Sequence, residues 1–514
     1  MLKRIICSLL VLLMLLALLA SCKRDKNNNE ELSSNDTDTD AVTIDDDEET
    51  ETDEYGQIVY KDPTEGLNFG GKTVNILVRS GEQYVREWYV KSTQSNVDQA
   101  IYTRNVRVEE ALGVKLNYII TDEGANNKPF MDKIINTATS GLGGIDIVSP
   151  FAAYATNPSA MPYYLNWYDQ EKLPYLNLDN AYWNQNYIRD AAAFGKLYVC
   201  VGDVNLSVYD RCMVVFFNKA KTKAYLKDTD GNSIDLYELV QSGEWYYETF
   251  YDMIKNIYED TGDIQGDRDT KDFYGVTGIL GSEASDAFLY SLGGSLTKTN
   301  ADGSHELVTE TELLRLETIY TSMLEFWTST GAYMPTDSMT NYDVFTGGNA
   351  LFTVDVVYHY SSGLAKLHAM DDEYGIIPMP KFDSDQDEYV TGIQDAYNVI
   401  AILQSGANQD FEMISAVLEK MSYESYTEVR PYYIENILKV RNMDLNSAQC
   451  FNYVLNGIRW DFADVYGTAI GTVRNALWRN PFQAKVGFSS NWQTYKGKYE
   501  KNLADFDTWL ISQS

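Results

Sequence analysis

The sequence predicts an α/β protein whose folded part is too long for one core. Three observations carry that expectation. Apolar strands and helical faces alternate as strand, helix, strand, helix, strand between Val74 and Val148. Glycines stand where those helices should end. About 450 residues follow the last strongly polar stretch near residue 65, more than a single hydrophobic core normally serves, so two lobes are expected.

At the start of the chain, Met1, Leu2, Lys3 and Arg4 precede an apolar run from Ile5 to Ala20, broken by Cys7 and Ser8. A basic start followed by an apolar stretch shorter than the roughly 20 residues of a membrane span reads as a cleavable signal peptide, residues 1–21. The run ends in Leu19-Ala20-Ser21-Cys22, which resembles the bacterial lipobox. That resemblance implies cleavage before Cys22 and lipidation of its thiol; the alternative is a secreted protein with an accidental cysteine there. Each buried lipid CH₂ contributes about 0.8 kcal/mol, so two or three acyl chains, palmitate among them, hold a protein on a membrane where one does not. Residues 22–65 carry the acidic stretch Asp36 to Glu54 with threonine spacers, low in hydrophobicity and of one charge sign, and read as an extended tether.

Val74 to Val78 reads as the first strand, ending in Arg79-Ser80-Gly81. Val97, Ala100, Ile101, Val108, Ala111 and Leu112 follow helical spacing up to Gly113, and Val114 to Ile120 is the second strand. Phe130, Met131, Ile134, Ile135 and Ala138 mark another helix, closed by Ser140-Gly141, before the strand Ile145 to Val148. This rhythm belongs to a mostly parallel sheet covered by helices, in which ligands meet loops beyond the strands' carboxyl ends; here those loops begin at Ser80 and Ser149. Two β-rich runs are expected within Gly195–Lys219, long helices over Trp245 to Tyr258 and Glu310 to Trp327, and a helical block within Asp410 to Tyr466. Ala350 to Val357 and Asn398 to Leu403 are β-rich islands between them.

Composition excludes several functions. The net charge is −34 and no Lys/Arg cluster rises above the background, so nucleic acid and anionic lipid surfaces, which need a basic patch, are poor partners. With 3 histidines and no CxxC pair, no metal or cofactor is expected. Serine-hydrolase, P-loop and dinucleotide signatures are absent. Cys200 and Cys212 flank a hairpin-like run and either pair in an oxidising compartment or stay as two buried thiols. Asp260 to Asp272 interleaves oxygen-bearing residues with glycine like a calcium loop, but it lacks the EF-hand core and closing glutamate, which favours a solvated acidic turn. The 39 tyrosines can pack a core with a polar tip in water, or line a groove for polar, ring-shaped ligands.

A set of weak motifs in a specific order then resembles the family 1 extracellular solute-binding proteins of ABC importers, which include the maltose-binding type. It comprises the lipobox, the helix end Arg104 to Gly113 running into Val114, Gly141-Leu-Gly-Gly-Ile-Asp-Ile-Val148, Lys196-Leu-Tyr198 and Phe216-Phe-Asn-Lys219. It continues with Trp245, Phe273-Tyr-Gly275, Leu292-Gly-Gly294, Phe345 to Phe352 and Tyr374 to Lys381. The resemblance runs from about residue 70 to the end and implies a two-lobed periplasmic-binding-protein-like type II fold, with mixed sheets flanked by helices and a hinge between the lobes. By segment order, lobe 1 takes 66–200 and 335–385, lobe 2 takes 201–334 and 386–514, and the hinge crossings fall near 201–210 and 391–395.

The resemblance also implies a non-enzymatic monomer on the outer face of a bacterial cell membrane, capturing a mono- or oligosaccharide for ABC permease subunits. Sugar recognition needs rings for the C–H faces of a pyranose beside polar groups that satisfy its hydroxyls in pairs. In the first lobe Ser80, Glu82, Trp88, Ser149, Phe151 and Tyr154 fit that need. At the hinge and in the second lobe the candidates are Tyr209, Asp210, Ser282, Glu283, Asp355, Tyr358, Asp395, Trp460 and Asp464. A surface glycoside hydrolase, or the same fold holding a peptide, a polyuronate or another solute, stays open as an alternative.

Overall fold

The computed structural model describes residues 62, 64–122, 127–261, 266–358, 367, 370–439 and 445–513. The expected signal peptide, Cys22 and nearly all of the tether lie outside the described residues. Pro63–Ser514 form one compact unit, and among the described residues no helix is long and apolar enough to cross a membrane.

The first sheet follows the expected rhythm. β1 (Lys72–Arg79) pairs in parallel with β2 (Val114–Thr121), Val74 opposite Leu116, and with β3 (Ile147–Ser149), Val78 opposite Ser149. Val74, Ile76, Leu77 and Val78 are fully buried, as a parallel strand covered on both faces requires. The helix Asn96–Leu112 starts in a capping box, where Ser95 Oγ accepts from Asp98 N at 3.1 Å and Asp98 Oδ2 accepts from Ser95 N at 3.0 Å. It ends at Gly113, whose φ of 59° and ψ of 45° are left-handed. Lys128–Ser140 ends the same way at Gly141.

The second sheet is mixed. It contains β4 (Met213–Asn218), β5 (Tyr258–Glu259) and β6 (Phe273–Gly278), while β7 (Thr297–Thr299) and β8 (His305–Leu307) form a separate hairpin. β9 (Ala332–Tyr333), β10 (Ala350–Val356) and β11 (Tyr374–Pro378) complete it in the order β11-β4-β10-β6-β5, with β9 also against β6. β10 runs parallel to β6 and antiparallel to β4. β12 (Ala401–Ile402) returns to the first sheet, antiparallel to β3.

Strand pairing therefore corrects the expected allotment of segments. Residues 335–385, expected with the first body, supply β10 and β11 to the second sheet, and residues after 386, expected with the second, supply β12 to the first. Backbone donors decide this, because a buried strand must sit where its N–H and C=O groups find partners. Between the sheets two segments run side by side: Cys200 and Ile400 exchange N–H···O bonds of 2.9 Å, Met213 N donates to Gly392 O at 3.0 Å and Gln394 N to Arg211 O at 3.0 Å.

Several local expectations shift. The helix after Trp245 runs Tyr247–Ile254, and the later one spans Glu310–Thr328. Within Gly195–Lys219 only β4 is a strand, and the late helical block divides into Phe411–Glu424, Arg430–Lys439 and Leu445–Asn456. Cys200 and Cys212 are free and buried, and burial raises both thiols well above their ordinary range. In the acidic loop, Asp272 accepts from the Thr261 and Asp269 amides at 3.0 and 3.1 Å, and among the described residues no cluster of metal-ligating side chains forms. Many tyrosines, including Tyr164, Tyr182, Tyr187, Tyr274 and Tyr320, are core residues.

Gly113 offers a direct check of this architecture. A Cβ there would sit 2.5 Å from Asn68 Oδ1 and force a side chain into left-handed backbone. Gly113→Ala should lower stability by on the order of 1 to 2 kcal/mol in denaturant unfolding.

Candidate functional site

β1 and β3 end at Arg79 and Ser149, β6 at Gly278, and β10 at Val356, and side chains beyond these ends touch one another. On the first-sheet side the Arg79 guanidinium lies 3.4 Å from the Tyr84 ring centre and 4.3 Å from that of Phe151, which meets Tyr154 edge-on at 5.3 Å. Arg211 Nη2 donates to the Tyr84 hydroxyl at 3.1 Å, and the Tyr358 ring covers the Arg211 guanidinium at 4.4 Å. Arg211 Nη1 reaches Gln394 Oε1 at 3.3 Å, Gln394 Nε2 donates to Glu283 Oε1 at 2.7 Å, and Ser282 Oγ donates to Glu283 Oε2 at 3.1 Å. The chain Phe151, Arg79, Tyr84, Arg211, Gln394, Glu283 thus bridges the strand ends of the two sheets.

Beside it lies an ionic cluster. Arg474 pairs with Asp464 at 3.0 Å and Asp395 at 3.1 Å, and Arg479 pairs with Asp395 at 2.8 Å. Arg479 Nε also reaches both Asp286 oxygens, at 3.0 and 2.9 Å, and the Tyr290 hydroxyl donates to Asp464. Burial alone would raise the Asp395 carboxyl, but Arg479 and Arg474 outweigh it and hold the group below its usual range. Asp464 goes the other way, pushed up to about 7 by burial despite Arg474.

Of the residues expected in the site, the structure gathers Phe151, Tyr154, Ser282, Glu283 and Tyr358 at the junction, and places Asp395 and Asp464 together in the ionic cluster beside it. Ser80 is partly exposed and Glu82 exposed, at the end of β1 and the start of the next helix. The others have partners elsewhere. Trp88 and Ser149 are fully buried and satisfy each other through a 2.9 Å Nε1–H···Oγ bond. Tyr209 turns away to donate to Asp203 Oδ1 at 2.5 Å and lines a separate cavity of about 200 Å³ with Asn205 and Arg430. Asp210 faces Tyr433. Asp355 is fully buried within β10, accepting from Val356 N at 2.7 Å. Trp460, 8 % exposed, donates to the Tyr397 hydroxyl at 2.9 Å. Arg79, Tyr84, Arg211 and Gln394 join the junction without being among the residues expected from sequence; their one local signal is an arginine bordering an apolar run, Arg79 after β1 and Arg211 before β4.

Beneath this junction Glu87 is fully buried, accepting from Ser207 N and Asn398 Nδ2 at 2.5 Å each. Burial pushes its carboxyl from 4.5 up to about 7. A folded-state pKa above the unfolded one means the native protein holds extra protons between those values, so this stability is present in acid and lost as pH rises toward 7. Glu87 and Asp464 shift alike, so the melting temperature should fall between about pH 5 and 7.5, and Glu87→Gln should flatten that slope whatever it does to the absolute value. Asp286, fully buried between two arginines, should cost about 3 to 5 kcal/mol when replaced by Ala, read from denaturant unfolding.

No family model matches the sequence, and no curated protein matches it. Among solved structures, the fold is similar to that of an ABC substrate-binding protein from Listeria monocytogenes in complex with cycloalternan. That likeness has a TM-score of 0.52 at 12 % identity and covers 84 % of this chain and 99 % of that one. The chain therefore has the mixed α/β fold of a substrate-binding protein.

Proposed function

We propose that this chain is an extracytoplasmic solute-binding lipoprotein, held through Cys22 at the outer face of a bacterial cell membrane. It captures a carbohydrate between two lobes, one built on each sheet, and passes it unchanged to an ABC importer. The paired segments 200–213 and 391–400 would act as the hinge about which the lobes close. The observation that carries this reading is the meeting of the strand ends of both sheets at Phe151, Tyr84, Tyr358, Ser282, Glu283 and Gln394, where rings for sugar faces stand beside donors and acceptors for hydroxyls. The fold of the Listeria protein, whose structure holds an oligosaccharide, supports it.

Thermal-shift and calorimetric titration of the mature chain against mono- and oligosaccharides is the test. A sugar that raises the melting temperature and is recovered intact is the expected result, with Phe151→Ala weakening it about tenfold, as loss of one stacked ring predicts. Recovery of hydrolysis products would favour a surface glycoside hydrolase instead.

A further inference from the structure

The cavity that Tyr209 lines is distinct from the junction: none of Phe151, Arg79, Tyr84, Arg211, Gln394 and Glu283 lines it. One wall is the crossing segment 201–209, and the stretches 181–186 and 455–458 face it together with Arg430. Arg430 follows directly on a π-helical turn, Ser425–Val429, a one-residue insertion that re-aims the side chains beyond it and is frequent at functional sites.

The inner wall carries a donor in want of an acceptor. Asn205 is 1 % exposed and closes a tight turn with Gly202, its Oδ1 accepting from Gly202 N at 3.1 Å and its own N–H donating to Gly202 O at 2.9 Å. That turn fixes the amide, because reversing it would set Nδ2–H against the Gly202 N–H. Among the described residues the buried Nδ2 then finds no acceptor. A buried donor left unpaired is costly, and an oxygen that reaches it recovers the cost.

The charges of this lining close. Asp203 and Arg430 are its charged side chains, and they pair with each other at 3.5 Å, while Asp203 also accepts from the Tyr209 hydroxyl. A carboxylate or ammonium ligand would compete for one of them and strand the other. The remaining polar lining is mostly carboxamide, from Asn184, Gln185, Asn186, Asn205 and Asn456. A carboxamide presents a donor and an acceptor together, as a hydroxyl does, and so suits an uncharged polyol. The volume of about 200 Å³ is the room of about six or seven waters and falls below the roughly 300 Å³ at which pockets for larger ligands begin. It admits one six-membered ring with its hydroxyls and excludes an oligosaccharide.

We propose that this cavity is a second ligand site, taking one uncharged polyhydroxylated ring, a monosaccharide or a cyclitol, with Asn205 Nδ2 donating to one of its oxygens. The site stands independently of carbohydrate capture at the strand ends.

The experiment is calorimetric titration of the mature chain with glucose, galactose, mannose and myo-inositol, with glucuronate and glucosamine as charged arms. One neutral ring is expected to bind more tightly than either charged one. Ala181→Trp, at an exposed lining position, should abolish that binding by filling the entrance. Asn205→Ala should weaken it about five- to tenfold, as loss of one neutral hydrogen bond predicts. Phe151→Ala should leave it unchanged, whereas a ring held at the junction would lose affinity. Should Asn205→Ala fail to fold, Ala181→Trp decides alone. Binding that survives Ala181→Trp, or that falls with Phe151→Ala, belongs to the junction; it overturns the second site and leaves carbohydrate capture standing. Full affinity in Asn205→Ala, or charged rings bound as tightly as neutral ones, overturns it as well. So does a panel in which no neutral ring binds, which leaves the cavity to water, while capture of oligosaccharides is judged separately by the titrations that test it.

Discussion

Arg474 and Arg479 gather three carboxylates from stretches of chain far apart in sequence: Asp286 from a helix behind the second sheet, Asp395 from a crossing segment, and Asp464 from the C-terminal region. Removing charges from water is expensive, and the mutual attraction offsets that cost only when every oxygen finds a donor. The cluster therefore fixes the C-terminal region against both the crossing and the second sheet in one geometry. Gln394, next to Asp395, owes its place between Arg211 and Glu283 to that anchoring.

The first sheet was legible because its signals are local. The apolar run of β1, the helical spacing up to Leu112 and the glycine at its end each state their structure within a few residues. The second half was not legible in the same way. β10 reads as a strand from its own residues, but whether it pairs with β1 or with β6 depends on partners that local pattern does not name. β12 has the same ambiguity, resolved by its two pairs with β3.

The candidate site was half legible for a related reason. Phe151, Tyr154 and Tyr358 can be singled out from sequence because loops beyond parallel strands are where ligands meet this class of sheet. Trp88 and Ser149 occupy equally suitable positions, yet each satisfies the other in the core, a pairing across 61 residues. Aromatic, serine and carboxylate residues make up the candidates read from the sequence, which include no arginines. The meaning of an arginine depends on whether a carboxylate arrives from elsewhere in the fold, as it does for Arg474 and does not for Arg211.

Cys200, Cys212 and Cys450 are each sealed from solvent, and burial leaves the first two almost wholly as unreactive thiols. Cys200 and Cys212 stand at the two ends of a crossing segment without being welded together. A covalent staple there would have tied the passage between the sheets to one length and angle. As built, no covalent tie joins the two ends of the passage, and a cysteine introduced on the surface of the described body would meet a thiol-specific dye with little competition from those already inside.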